Sequence, residues 1–197
     1  ELDQVAAPAG RNVERHLLIT IQTPKKVPEN EAAPAGKPRP PLNFSSVLDV
    51  SGSMHGEKIV QAKEAVRQAV RCLHEGDVFS LVTFETEVKC PFAPTSVDKR
   101  FIEKVESALA EIKAGGSTSL CGGLEMGIKN GKKHKMDTNL VLLLSDGQAN
   151  VGETDLEKIG ARALQARQKG MLVSTLGVGL DYNEALLTEI ATQGGGR

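Results

Sequence analysis

The sequence has few aromatic residues and few cysteines, and both shortages narrow its class. Tryptophan is absent and aromatic residues make up 3% of the 197-residue chain. A buried core must therefore consist mainly of Val, Leu, Ile and Ala, which is typical of parallel strands covered by helices. The three cysteines, Cys72, Cys90 and Cys121, are too few and too irregularly spaced for a disulfide scaffold, and they leave the redox compartment open.

The chain also lacks long runs of charge or of apolar residues. It has 24 basic and 25 acidic residues, and its densest basic cluster is Lys132, Lys133 and Lys135, so we expect no nucleic-acid partner. No apolar run reaches the roughly 18 residues of a membrane span. The chain begins at Glu1 without a signal peptide, and we expect it to be a part of a longer protein.

The first 42 residues differ in composition from the rest. Residues 15–23 alternate apolar and polar side chains, which predicts an edge strand. Residues 24–41 contain six prolines, a composition that favours a loop over a helix or a central strand. We therefore assign residues 1–42 to an N-terminal arm with an edge strand and a Pro-rich loop, and residues 43–197 to a single domain.

From residue 43 onward, strand patterns alternate with helix patterns. Strands are predicted at residues 44–49, 77–84, 87–92, 140–144 and 171–178. Helices are predicted at residues 57–74, 101–112, from 120 to at least 128, 154–169 and 183–192, and a capping box of Thr154 and Glu157 would begin the fourth. Pro91 marks the strand at 87–92 as an edge strand, paired in a hairpin with 77–84. This order predicts an α/β, Rossmann-like open sheet, mostly parallel, with one antiparallel edge hairpin and helices on both faces.

Two predicted strands end on an acid, and oxygen-bearing side chains lie close to each. Asp49 is followed by Ser51 and Ser53, Asp146 ends a later strand, and Thr118 lies in a Gly-rich loop between them. Ligands of open α/β sheets bind at the carboxyl ends of strands, so these five side chains would converge if the strands are neighbours. An all-oxygen set of ligands suits a hard divalent cation. Taken alone, Asp49 and the two serines also fit a strand-end turn with local capping.

These residues closely resemble the von Willebrand factor A (VWA) domain and its metal-ion-dependent adhesion site. The D-x-S-x-S motif of that family stands here as Asp49, Ser51 and Ser53, its loop threonine as Thr118, and its later acid as Asp146. Residues 39–41, 174–179 and 194–196 resemble bacterial members related to inter-alpha-trypsin inhibitor heavy chains. The resemblance implies the VWA fold over residues 43–197, truncated at its C-terminal end and lacking the last strand and helix.

The resemblance also implies a function. Ser51, Ser53 and Thr118 would contact the metal, normally Mg²⁺ and sometimes Mn²⁺ or Ca²⁺, whereas Asp49 and Asp146 would act largely through bound water. Neutral hydroxyls leave much of the charge of the cation uncompensated, and Mg²⁺ keeps a position for an outside ligand. We therefore predict a non-enzymatic, metal-dependent module for protein–protein interaction or adhesion, whose protein partner supplies an Asp or Glu. The family resemblance favours a cell-surface or secreted location.

Three alternatives remain at this stage. The domain could serve as an assembly subunit of a larger machine, or its site could be idle in a purely structural fold. It could also be a metal-assisted phosphohydrolase, because an aspartate at the end of the first strand is the nucleophile of one phosphatase class. That class needs a second acid two residues later, where this chain has Ser51, and no general base is evident beside Asp49.

Overall fold

The part of the chain that the structure describes, residues 39–197, contains a single five-stranded sheet. The structure is a computed structural model. Its strands are β1 (Leu42–Asp49), β2 (Val78–Phe84), β3 (Val88–Ser96), β4 (Thr138–Ser145) and β5 (Leu172–Gly177). Their order across the sheet is β3-β2-β1-β4-β5. Only β3 is antiparallel to its neighbour, so the predicted mostly parallel sheet with an antiparallel edge hairpin is confirmed.

Helices cover both faces of this sheet. Residues 39–197 form a short 3₁₀ turn at Gly52–Met54 and the helices α1 (Glu57–Arg71), α2 (Phe101–Glu111), α3 (Leu120–Lys133), α4 (Leu156–Gln168) and α5 (Glu184–Gly194). Apolar side chains of α1 and α2 pack on one face, and those of α3, α4 and α5 pack on the other. Neighbouring β1 residues serve different faces, since Val47 belongs to one core cluster and Leu48 to the other. Within these residues, no helix has the length and hydropathy that crossing a membrane requires.

Helix α3 approaches the centre of the sheet unusually closely. A Cβ atom at Gly123 would lie 2.6 Å from Cγ of Phe84, and one at Gly127 would overlap the side chain of Val47. Both partners are fully buried in the core. Glycine at these positions therefore sets the separation between α3 and the strands β1 and β2.

Several predicted boundaries need correction. Helix α4 is not capped by Thr154, because Asp155 occupies the N-cap position and its carboxylate accepts the Lys158 N–H at 3.0 Å. The capping carboxylate is one residue later than predicted, so the expected capping box with Glu157 does not form. Strand β3 continues to Ser96, past the predicted end at residue 92, since an edge strand tolerates prolines whose nitrogens need no partner.

The remaining differences are small, and the predictions for the N-terminal arm are not tested. Helix α1 ends at Arg71, three residues earlier than predicted, and β1 begins at Leu42, two residues earlier. The predicted edge strand at residues 15–23 and nearly all of the Pro-rich loop lie outside the described residues. The N-terminal arm thus stays a prediction.

Candidate metal centre

The loop after β1 gathers the first three predicted site residues. Asp49 is the last residue of this central strand and is fully buried. Its Oδ1 accepts the backbone N–H of Ser51 at 2.9 Å, which turns the chain back over the carboxylate. The 3₁₀ turn that follows brings Oγ of Ser53 to 3.2 Å from Oγ of Ser51. One carboxylate and two hydroxyls therefore lie together at the carboxyl end of β1.

A serine joins the end of β1 to the end of β4. The hydroxyl of Ser145 donates to Oδ2 of Asp49, and Oγ of Ser145 accepts the Gly147 N–H at 2.8 Å. Asp146 follows Ser145 directly and is also fully buried. Burial raises the pKa of Asp49, the hydrogen bonds from Ser145 and Ser51 oppose this rise, and the negative charge of Asp146 adds to it. The hydrogen bond from Ser145 therefore ties the end of β1 to the end of the neighbouring strand β4, beside Asp146.

The loop that carries Thr118 is attached to both of the other loops. The N–H of Gly52 donates to the carbonyl of Gly116 at 2.9 Å, which links this loop to the one after β1. The N–H of Thr118 donates to Oδ1 of Asn150 at 2.7 Å, which links it to the loop after β4. Thr118 itself is 2% exposed. Three segments distant in sequence thus meet at one end of the sheet.

Lys58 is a member of this network that the sequence analysis missed. It is the second residue of α1, and its Nζ lies 3.2 Å from Oδ2 of Asp146 and 2.8 Å from Oδ1 of Asp181. The hydrogen bond to Asp181 is the main cause that raises the pKa of Lys58, and partial burial opposes it. No sequence signal separates this lysine from the other lysines of the amphipathic helices. Ser145 could have been predicted as a member of the network, because it directly precedes Asp146 in the sequence.

The side chains present fit a hard divalent cation. Across residues 39–197, no cluster of three or more His, Cys, Asp or Glu residues could hold a metal, so a site here depends on hydroxyl groups. The connected loops offer two carboxylates, serine hydroxyls and a threonine, an all-oxygen set that suits Mg²⁺ better than zinc or copper. The assignment of Asp49, Ser51, Ser53, Thr118 and Asp146 as metal ligands stays a prediction.

Comparison with known proteins then identifies the family. The family model described as von Willebrand factor type A domain matches residues 46–197. The chain belongs to this family. The resemblance to the VWA family is thereby confirmed, and so is the VWA fold of the sheet.

Curated relatives of this VWA domain are longer proteins. It is 31% identical over 194 residues to the uncharacterized protein YfbK of Escherichia coli, covering 96% of this chain and 32% of that protein. It is 31% identical over 174 residues to human inter-alpha-trypsin inhibitor heavy chain H4, covering 83% of this chain and 18% of the relative. The chain therefore spans about a third or less of these relatives.

Solved structures share the fold at lower identity. A von Willebrand factor type A protein from Catenulispora acidiphila matches with a TM-score of 0.66 and 22% identity, over 78% of this chain and 36% of that one. Manganese-loaded TRAP protein of Plasmodium vivax matches with a TM-score of 0.63 and 17% identity, over 77% and 63% of the two chains. VWA domains generally mediate protein–protein interaction and adhesion, commonly with a bound divalent metal.

Proposed function

We propose that this VWA domain binds a divalent cation, Mg²⁺ first, and through it a carboxylate of a partner protein. The observation that carries the proposal is the connected network of three loops, in which the buried carboxylate of Asp49 accepts a hydrogen bond from Ser145, the residue directly before the buried Asp146. Burying two like charges together is unfavourable unless positive charge is close to them. Lys58 contacts Asp146, and a cation bound at this end of the sheet would supply positive charge to Asp49 as well.

Each predicted ligand has a distinct part in the proposal. The hydroxyls of Ser51, Ser53 and Thr118 would contact the cation, and Asp49 and Asp146 would hold its water ligands. Both oxygens of Asp49 already accept hydrogen bonds, from Ser51 and Ser145, which suits a carboxylate that acts at longer range. Neutral hydroxyl ligands leave much of the positive charge of the cation uncompensated, so a carboxylate from an Asp or Glu of a partner protein would be a favourable further ligand.

The enzymatic alternative finds no support at this site. The hydrogen-bond donors to Asp49 among the described residues are the Ser51 N–H and the Ser145 hydroxyl. Neither group is a general base, and the position two residues after Asp49, where that phosphatase class needs its second acid, is Ser51. Interaction without turnover is the function we assign.

Calorimetric titration tests the metal step. Chelator-treated protein is titrated with Mg²⁺, and we expect one site per chain in the wild type. Asp146→Asn should abolish binding because it removes one of the two buried charges. Glu87→Gln is the matched control, since Glu87 is 75% exposed in the β2–β3 turn and should leave the affinity unchanged. Absence of binding by the wild type at millimolar Mg²⁺ would overturn the proposal.

Acetate serves as a probe for the partner carboxylate. We expect NMR shifts on acetate addition to concentrate at Ser53 and Thr118 in Mg²⁺-loaded protein and to vanish when the cation is chelated. The reason is that a carboxylate would be held by the cation and not by the protein alone. Equal shifts with and without Mg²⁺ would contradict the carboxylate step while leaving the metal step intact.

A further inference from the structure

Lys58 connects the candidate metal centre to the loop between β5 and α5. Its ammonium group contacts Asp146, which is fully buried, and Asp181, whose side chain is 66% exposed. The lysine side chain itself is only 20% exposed. One cation is thus shared between a predicted ligand of the metal and an acid that lies outside the predicted ligand set.

The backbone around Lys58 is shaped to accommodate its side chain. Gly179 has a φ of +91°, and a Cβ atom there would lie 2.6 Å from Cε of Lys58. A larger residue at this position would push the lysine out of its place between the two acids. A groove of about 560 Å³, lined by α1 residues such as Gln61 and by Leu176 at the end of β5, adjoins Lys58. The side chain therefore has room to turn away from Asp146.

The charges explain what such a movement would do. Asp49 and Asp146 are two buried carboxylates, and Lys58 is the positive side chain that contacts one of them. Removing the charged partner of a buried carboxylate is strongly destabilising, so the lysine stabilises the site when it is free of metal. The same ammonium group repels an incoming cation and occupies an oxygen of Asp146. Metal binding and the Lys58–Asp146 contact thus oppose each other.

We propose that Lys58 is the resident counter-cation of Asp146, which the divalent cation must displace and which then pairs with Asp181 alone. In this role Lys58 is a positioning residue that sets the metal affinity and links the metal centre to the β5–α5 loop. The inference rests on the proposed function, since it concerns the cation that this function requires. It extends that function to a residue outside the predicted ligand set.

Lys58→Met tests the competition because it keeps an apolar side chain of similar length and removes the charge. We expect Mg²⁺ to bind about ten-fold more tightly by calorimetry, since the repulsion is gone. The metal-free variant should unfold at a lower temperature, because Asp146 loses its partner. Lys58→Arg should resemble the wild type in both measurements. Lys104→Met removes an exposed lysine paired with Asp98 on the surface and should change neither.

Asp181→Asn tests the link to the β5–α5 loop. It leaves Lys58 with Asp146 as its charged partner, so Mg²⁺ binding should weaken a few-fold. The two variants therefore shift the affinity in opposite directions, whereas a purely structural role of Lys58 would make both bind more weakly. Asp181→Asn also keeps the inference testable if Lys58→Met fails to fold.

The outcomes separate this inference from the proposed function. If the wild type binds Mg²⁺ and Lys58→Met binds it equally or more weakly, the counter-cation role is wrong and the proposed function stands. If Asp181→Asn leaves the affinity unchanged, the transfer of Lys58 to Asp181 is wrong. If the wild type does not bind Mg²⁺, the proposed function fails and this inference fails with it.

Discussion

Replacing Ser145 by alanine should destabilise the metal-free protein more than any other single hydroxyl removal at the site. Ser145 is fully buried, donates to the carboxylate of Asp49 and accepts the N–H of Gly147. A hydrogen bond to a charged group contributes about 1.5–3 kcal/mol, and an N–H left unsatisfied costs about 1–3 kcal/mol. Since a water molecule can fill part of the space, we expect a net loss of about 2–4 kcal/mol in the free energy of unfolding.

Urea unfolding in the presence of chelator measures this loss. For a domain of this size, 2–4 kcal/mol corresponds to a fall of about 5–15 °C in the unfolding temperature. The loss should shrink at acid pH, because the hydrogen bond from Ser145 lowers the pKa of Asp49 and matters most while that carboxylate is charged. Ser107→Ala is the control, since its exposed hydroxyl bonds only a helix carbonyl, and it should change stability by less than about 0.5 kcal/mol. A loss below about 1 kcal/mol for Ser145→Ala at neutral pH would refute the reasoning.

Three further predictions address packing, titration and the threonine loop. Gly127→Ala should lower stability by about 1–2 kcal/mol in urea unfolding because its methyl group clashes with β1, whereas Gly160→Ala, which meets only flexible side chains of α5, should be neutral or stabilising. Burial raises the pKa of Asp49, so the folded state binds more protons than the unfolded state. The metal-free protein should therefore lose stability as the pH rises above 3.8, the ordinary pKa of an aspartate. Urea unfolding at several pH values should show no such loss for Asp49→Asn. Asn150→Ala should weaken Mg²⁺ binding in calorimetry, since it releases the Thr118 N–H.

Each of these predictions has an outcome that would contradict it. Equal stability of the two alanine variants in helices α3 and α4 would show that α3 is free to move off the sheet. Wild type and Asp49→Asn are compared because other acids contribute equally to both proteins. One example is the partly exposed Glu153, whose pKa is lowered by the Asp155 N–H and which therefore acts in the opposite direction. Parallel pH curves would therefore show that burial of Asp49 has no thermodynamic effect. Unchanged affinity in Asn150→Ala would separate the threonine loop from the metal centre.

The sheet type and the strand ends that carry the candidate site were predictable because they depend on repeated patterns. The apolar runs before Asp49 and Asp146 mark the ends of two strands. The alternation of strands with helices predicts a mostly parallel sheet. The burial of Val47 and Leu48 on opposite faces follows from the period of two along a strand. The prediction of these features does not depend on the exact ends of any single strand or helix.

The contacts that complete the site were less predictable, since they join side chains far apart in sequence. Lys58 and Asp146 are 88 positions apart, and Ser145 and Asp49 are 96 apart. Nothing in the local sequence of α1 indicates which lysine faces the sheet end. The cap of α4 failed for a local reason, because Asp155 competes with Thr154 for the same backbone amides. Contacts between side chains distant in sequence, and the choice between two adjacent capping residues, are therefore the features that a sequence pattern does not predict.

The strand order itself explains why these loops meet. The chain runs outward from β1 through β2 to β3 and then returns through α3 to β4 on the other side of β1. The loops after β1 and β4 therefore lead to helices on opposite faces and diverge, which opens a crevice at this point of reversal. Asp49 ends β1, Asp146 follows β4, and Thr118 lies just before the returning helix α3. A cation held between them would join the two halves of the sheet, so a partner that binds it would contact loops from both halves at once.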